Sequence, residues 1–364
     1  MRVIISAGGT GGHIYPAISI INKIKAEEPD SEFLYIGTDN RMESEIIPKL
    51  GIDFRGITIY GFKRKLTLDN FKTLHYFLKA RRTCKGIIRE FNPDIVIGCG
   101  GYVTAPVIWA GKKLGKKTFI HEQNSVVGLS NRYLTKYADR IRVCFESVMK
   151  EFPRDKVVLT GNPCSEEALR SKKASKKEFG LTEGKKLILI VMGSLGSGSI
   201  SDMFISFLKD FGDKDYEVLF VSGKGQYDKF RDIVLPSNVK VVSFIENLPR
   251  VMKIADIMVT RAGASTISEI MAIDTVSIFI PSPYVTNNHQ EMNAMDLVNK
   301  KAGRMIREAD LNKETLFSEI DSLLNNRKEY EEIKRNLREY GIKDSGSRIY
   351  ETLKDLMMSD KRFF

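Results

Sequence analysis

The feature that most constrains this chain is a strand-to-helix turn built largely of glycine, Ser6-Ala7-Gly8-Gly9-Thr10-Gly11-Gly12-His13. The apolar run Val3-Ile4-Ile5 precedes it and reads as a buried strand. Beyond it Ile14, Ala17, Ile18, Ile21 and Ile24 recur three or four apart, which is the spacing of one helix face. Four glycines in five positions let the backbone curl and let a ligand approach it closely. The helix start then offers unpaired N–H groups and the positive end of a dipole, which suit an oxyanion or a phosphate. No Lys-Ser/Thr ending is present, and Ile14 stands where a dinucleotide fingerprint needs its third glycine. A tight turn without a ligand would use the same glycines, but it gives no reason for His13 among them.

Strand-like and helix-like stretches alternate from end to end. This predicts an α/β chain with largely parallel sheets and helices on both faces. Strands are expected at 33–37, 54–59, 94–98, 118–120 and 157–160, with a helix near 43–50. The pattern then restarts, as 187–192 runs into Gly193-Ser194-Leu195-Gly196-Ser197-Gly198. Further strands are expected at 217–222, 239–243, 257–260 and 276–280, and a helix from 343 onward. A chain of 364 residues exceeds one ordinary core. Two similar domains, 1–162 and 163–341, are therefore expected to face each other across a cleft.

Other loops fall at the same strand ends. Gly98-Cys99-Gly100-Gly101-Tyr102 is a second glycine turn, and His121-Glu122-Gln123-Asn124 ends another strand. Ligands of open parallel sheets bind at such C-terminal strand ends. In the second half, Arg261-Ala262-Gly263-Ala264-Ser265-Thr266 puts small and hydroxyl residues at a helix start. Glu269 reads either as an acceptor for a ribose diol or as the end of a plain capping box, Thr266-x-x-Glu269. Gln290 and Asn293 lie three apart on one helix face, as readers of sugar hydroxyls would. Asp39 keeps an NAD-type reading open.

No Ser-His-Asp order, carboxylate pair or metal-ligand cluster stands out. Phosphate charge would then be met by backbone N–H groups and Arg261, as in a metal-free site for a nucleotide diphosphate leaving group. His13 is the best-placed general base, or else a brace for its loop. The net charge of +11 suits phosphorylated substrates, anionic lipid or nucleic acid. Between Tyr60 and Arg82, aromatic and aliphatic residues interleave with Lys63, Arg64, Lys65, Lys72, Lys79 and Arg81. That segment reads as an interfacial membrane patch or as a core helix with a solvated basic face. The four cysteines are widely spaced, which fits a reducing cytoplasm, and Met1-Arg2 leads directly into a strand rather than a signal peptide.

Taken in order, these motifs, with Gly161-Asn162-Pro163 and Asn288-His289-Gln290 through Asn293-Ala294, resemble the MurG family. Its members are bacterial transferases that add N-acetylglucosamine to lipid I. The resemblance implies a GT-B architecture of two Rossmann-like domains, with the final helix (about 342–364) crossing back to the first. It implies an inverting, metal-independent transfer from UDP-N-acetylglucosamine to the 4-hydroxyl of N-acetylmuramic acid in lipid I, without a cofactor. His13 and Glu122 match the catalytic region, and Gly11, Tyr102 and Asn131 the acceptor side. Thr10, Gly12, Asn124, Ser194, Ile245, Arg261, Ala264, Ser265, Thr266, Glu269, Gln290 and Asn293 match the donor site, with Ile245 beside the uracil. The implied partners are the two substrates, the anionic cytoplasmic membrane surface and other cell-wall synthesis proteins, and no nucleic acid. Two departures stand out: Cys164-Ser165 replace the family's valine and arginine, and Leu195 replaces a glutamine.

Overall fold

The computed structural model describes residues 1–61, 69–193 and 198–358. Ser194, Leu195, Lys63, Arg64 and Lys65 lie outside them. The chain forms two compact units, one of Met1–Cys164 with the chain from Asp344 onward, the other Ser165–Lys343.

Unit 1 is built on seven strands: β1 (Arg2–Ser6), β2 (Glu32–Thr38), β3 (Asp53–Ile57), β4 (Ile95–Gly98), β5 (Lys117–Glu122), β6 (Arg140–Val143) and β7 (Val157–Leu159). They lie in the order β3-β2-β1-β4-β5-β6-β7, and every pair is parallel. Helices α1 (Gly11–Glu27), α2 (Met42–Lys49), α3 (Asp69–Phe91), α4 (Thr104–Lys113) and α5 (Leu129–Leu134) connect them. Successive residues of a strand point to opposite faces, so β1 feeds two cores. Ile4 joins Ala80, Cys84 and Ile88 of α3 and Val107 of α4 on one face. Val3 and Ile5 join Ile14, Ala17 and Ile21 of α1 on the other.

Helix α6 (Cys164–Arg170) starts at the last residue of this part of unit 1 and continues into the second unit, which carries β8 (Leu187–Val191), β9 (Glu217–Val221), β10 (Val239–Val242), β11 (Ile257–Thr260), β12 (Ser277–Phe279) and β13 (Arg304–Met305). Their order is β10-β9-β8-β11-β12-β13, again all parallel. The helices are α7 (Gly198–Phe207), α8 (Leu248–Met252), α9 (Ala264–Ile273), α10 (His289–Asn299), α11 (Lys313–Asn325) and α12 (Arg327–Tyr340).

The last helix, α13 (Ser345–Met358), belongs to unit 1. Its Ile349, Tyr350, Leu353 and Leu356 fill the core beside α1. Tyr350 donates a hydrogen bond of 2.9 Å to Glu28, and Arg142 of β6 donates one of 2.9 Å to Thr352. Unit 1 is thus closed by a segment some 180 residues away from its other end in sequence, the span of Ser165–Lys343.

Candidate active site

In unit 1 the chain builds outward from β1 to β3, then crosses to β4 on the other side of β1. The C-terminal ends of β1 and β4 therefore flank the switch point, where doubly wound sheets bind ligands. Both glycine turns emerge there and are tied together. Cys99 N–H donates to Ser6 O at 2.8 Å, and Gly8 N–H to Gly100 O at 3.2 Å. Gly100 and Gly101 have φ of +101° and +86°, a region that a side chain disfavours. Space forbids one as well: a Cβ on Gly101 would stand 2.4 Å from Gly8 O, and one on Gly100 would stand 2.6 Å from His13 Cδ2. The second turn is bare because the first, with its imidazole, packs on it.

His13 is half-buried, with Nδ1 3.1 Å from Gly8 O and 3.3 Å from Thr10 Oγ1. A carbonyl only accepts, so the hydrogen-bond network assigns the proton to Nδ1 and the lone pair to Nε2. That is the tautomer of a base acting through Nε2. Thr10 precedes α1 in extended conformation without capping it by its side chain, and the first turn holds no acidic residue. Gly11 and Gly12 thus open a helix start uncapped by any side chain. Tyr102 is half-buried, its ring 3.4 Å from where a Cβ on Gly61 would stand.

Glu122 occupies a different setting. Its carboxylate is buried and accepts from Asn124 N at 3.1 Å, Gly128 N at 2.9 Å and Asn131 Nδ2 at 2.9 Å. Burial pushes its pKa up, and these donors pull back against that rise. Glu122 and the equally buried Asn131 brace the segment that follows β5. His121 is wholly buried and donates from Nε2 to Gly161 O at 3.1 Å; burial drives its pKa down to about 4. It is a neutral structural group at working pH.

Two supports of the first loop carry no sequence signal. Glu43 of α2 accepts from Gly9 N at 3.2 Å, and the Tyr35 hydroxyl donates to Ala7 O at 2.9 Å. Burial raises the Tyr35 phenol well above its usual range, so it stays a donor.

The switch point of unit 2 lies between β8 and β11. Beyond β11 the chain turns at 261–263 and starts α9 at Ala264, with Gly263 as its N-cap and no side-chain cap. This corrects the capping-box alternative: Thr266 is the third residue inside the helix, so Glu269 caps nothing. Glu269 is half-buried, and burial together with the nearby Glu167 raises its pKa to about 8. Ser265 and Thr266 are half-buried on the first turn.

Arg261 also differs from expectation. Its guanidinium is buried, 2.6 Å from Glu308 Oε2, and donates to Ile280 O at 3.0 Å. These contacts tie β11 to the end of β12 and to the segment after β13. Asn293 is likewise wholly buried, and its Nδ2 donates to Ala262 O at 3.2 Å, which ties α10 to the 261–263 turn. Gln290 accepts from Ser282 N at 2.8 Å and stays half-buried, and Ile245, half-buried, follows β10. Ser165, at the position of the family's arginine, is buried with its hydroxyl on Ile342 O at 3.0 Å.

On the surface of unit 1, α3 has two faces. Ala80, Cys84 and Ile88 enter the core, while Phe71 (74% exposed), Leu74 (45%) and Leu78 (49%) do not. Lys72, Lys79 and Arg82 are exposed beside them, and Arg81 stacks on Trp109 at 3.3 Å. Among the described residues no helix is long and apolar enough to cross a membrane.

Two Rossmann-like units in one chain, each with its loops at a switch point, define the GT-B class of glycosyltransferase architecture. MurG from Acinetobacter baumannii superimposes with a TM-score of 0.77 at 26% identity, covering 97% of this chain and 99% of that one. The calicheamicin glycosyltransferase CalG4 shares the fold, with a TM-score of 0.73 at 13% identity over 98% of both chains. Models of the glycosyltransferase family 28 N-terminal and C-terminal domains match residues 3–143 and 187–349. The UDP-N-acetylglucosamine--N-acetylmuramyl-(pentapeptide) pyrophosphoryl-undecaprenol N-acetylglucosamine transferase of Bacillus cytotoxicus is 48% identical over 98% of this chain and 100% of its own. The transferase of the same name from Bacillus licheniformis is 44% identical over 98% and 99%. The chain belongs to glycosyltransferase family 28.

Proposed function

We propose that this chain transfers N-acetylglucosamine from UDP-N-acetylglucosamine to the 4-hydroxyl of N-acetylmuramic acid in lipid I, forming lipid II for peptidoglycan with inversion at the sugar carbon. The observation that carries this is 48% identity, over nearly the whole of both chains, to a transferase of that name. His13 removes the proton of the attacking hydroxyl through Nε2, and the glycine turns of unit 1 receive the acceptor. In unit 2 the start of α9 meets the donor phosphates with its N–H groups, Ser265 and Thr266. Glu269 accepts from the ribose and Ile245 lies against the uracil. Glu122, Asn131, Arg261 and Asn293 act behind these groups by holding their loops.

The exposed Phe71, Leu74 and Leu78, rimmed by Lys72, Lys79 and Arg82, seat unit 1 on the anionic cytoplasmic face of the membrane that carries lipid I. Cations near such a surface contribute about 1 kcal/mol each. Replacing Lys72, Lys79 and Arg82 with Gln should therefore weaken binding to phosphatidylglycerol vesicles and flatten its salt dependence. Unchanged binding would move the contact elsewhere on the molecule.

The decisive assay is transfer of labelled N-acetylglucosamine to a short-chain lipid I analogue with EDTA present. Product under these conditions supports donor, acceptor and metal independence together. Donor binding without transfer would redirect the search to other polyprenyl or diacylglycerol acceptors, and failure to bind donor would overturn the reading. Glu269→Ala should cost donor affinity about 1–3 kcal/mol, the cost of leaving the ribose hydroxyls without their partner.

A further inference from the structure

Glu43 is a wholly buried carboxylate that the transfer reading leaves without a role. It stands on α2, behind the β1–α1 loop. Two glycines make the space for it: a Cβ on Gly8 would stand 2.3 Å from its Oε1, and one on Gly37 would stand 2.6 Å from its Cγ. Oε1 accepts from Thr38 N at 3.1 Å and Thr38 Oγ1 at 2.6 Å, and Oε2 accepts from Gly9 N at 3.2 Å. Both carboxylate oxygens are thus committed as acceptors.

One peptide group joins this carboxylate to His13. The C=O of Gly8 and the N–H of Gly9 belong to the same planar trans unit and point in opposite directions. Glu43 takes the N–H at 3.2 Å, and His13 Nδ1 donates to the C=O at 3.1 Å. Fixing one end of a rigid plane fixes the other. The preceding peptide is gripped at both ends too, by Tyr35 on Ala7 O at 2.9 Å and by Gly100 O on Gly8 N at 3.2 Å. A negative acceptor on the N–H also polarises the peptide and makes its carbonyl oxygen the better acceptor.

We propose that Glu43 is the positioning residue for His13, acting through the Gly8–Gly9 peptide to hold the imidazole as the Nδ1–H tautomer with Nε2 basic. The inference rests on the reading of His13 as general base. Glu43 does through an intervening peptide what the carboxylate of a Ser-His-Asp triad does by direct contact.

The test is ¹⁵N-histidine NMR on the full chain, which has four histidines, with His13→Ala assigning the signal. The wild type should show His13 as Nδ1–H. In Glu43→Gln, an amide oxygen that stays on Thr38 turns its NH2 toward Gly9 N–H and repels it. His13 should then populate both tautomers, and kcat should fall about 10- to 100-fold, as when the partner that orients a histidine is lost. KM for UDP-N-acetylglucosamine should change little. A wild-type His13 found as Nε2–H would overturn the proposal whether or not the variant folds. Adding Glu43→Gln to His13→Ala should cost no further turnover, and an additive loss would make Glu43 a support of the loop alone. Wild-type turnover in His13→Ala would remove the base itself. An impaired His13→Ala beside an unaffected Glu43→Gln sinks only the positioning role.

Discussion

In unit 1 the loops at the switch point are packed backbone against backbone, whereas in unit 2 the turn after β11 is held by buried side-chain charge. Gly100 and Gly101 of the first unit sit at positive φ and lie against Gly8 and His13. Gly263 of the second has an ordinary φ of −68°, and the Arg261–Glu308 pair supplies the support beneath its turn. Backbone packing leaves main-chain groups and one imidazole to face a ligand, and it tolerates no side chains within the turn. A turn propped from below can carry Ser265 and Thr266 on its helix start. The first arrangement suits positioning a hydroxyl beside a base. The second suits binding many oxygens of a nucleotide.

The comparison breaks most visibly at Glu308. Both members of its pair have only 10% of their side chains exposed, so Glu308→Ala leaves a buried guanidinium without its counter-charge. Such losses cost about 3–5 kcal/mol, read from urea unfolding of the intact chain. A loss below about 1 kcal/mol would show the pair to be well solvated, with the turn held by its backbone after all.

Glycine substitutions sharpen it next. Gly101→Ala meets Gly8 O at 2.4 Å and must hold φ at +86°, so strain and overlap together should cost about 2–4 kcal/mol. Gly263→Ala meets nothing nearer than Thr266 Oγ1 at 3.9 Å and should cost under about 1 kcal/mol. Equal effects at the two sites would erase the distinction between a bare loop and a propped turn.

Glycine is also what made unit 1 legible. Its turns, and the apolar runs before them, located β1 and β4, while the strand order that makes their ends a switch point came from the structure. Strands with weaker patterns escaped: β6, Arg140–Val143, alternates arginine with aliphatic residues, and its buried Arg142 donates to Ile141 O, to Lys156 O and, far along the chain, to Thr352. Partnerships across sequence were equally invisible. Nothing in Met42–Lys49, read as a plain helix, announces that Glu43 grips Gly9, and nothing near Arg261 announces Glu308. The Thr266-x-x-Glu269 spacing misled because the helix begins two residues before Thr266, at Ala264. Spacing put these residues forward as candidates, while which of them are buried and hydrogen-bonded to neighbouring loops needed three dimensions.

A further effect lies at Glu269 and separates the two turns by pH. Burial and Glu167 raise the Glu269 pKa to about 8, against 4.5 for an ordinary glutamate. The folded chain therefore holds this proton more tightly than the unfolded one. Its contribution to stability is complete below the unfolded value and is lost as pH climbs toward the folded one. Wild-type unfolding free energy should fall between about pH 5 and pH 8 relative to Glu269→Gln, which has no proton to lose. Because Glu269 keeps part of its surface exposed, solvent trims the size of this slope but not its sign. Bound donor should shrink the difference, since a ribose diol donates to the ionised carboxylate and draws the pKa down. Parallel stability curves for the two proteins across this range would mean that Glu269 is already ionised and solvated in the free enzyme.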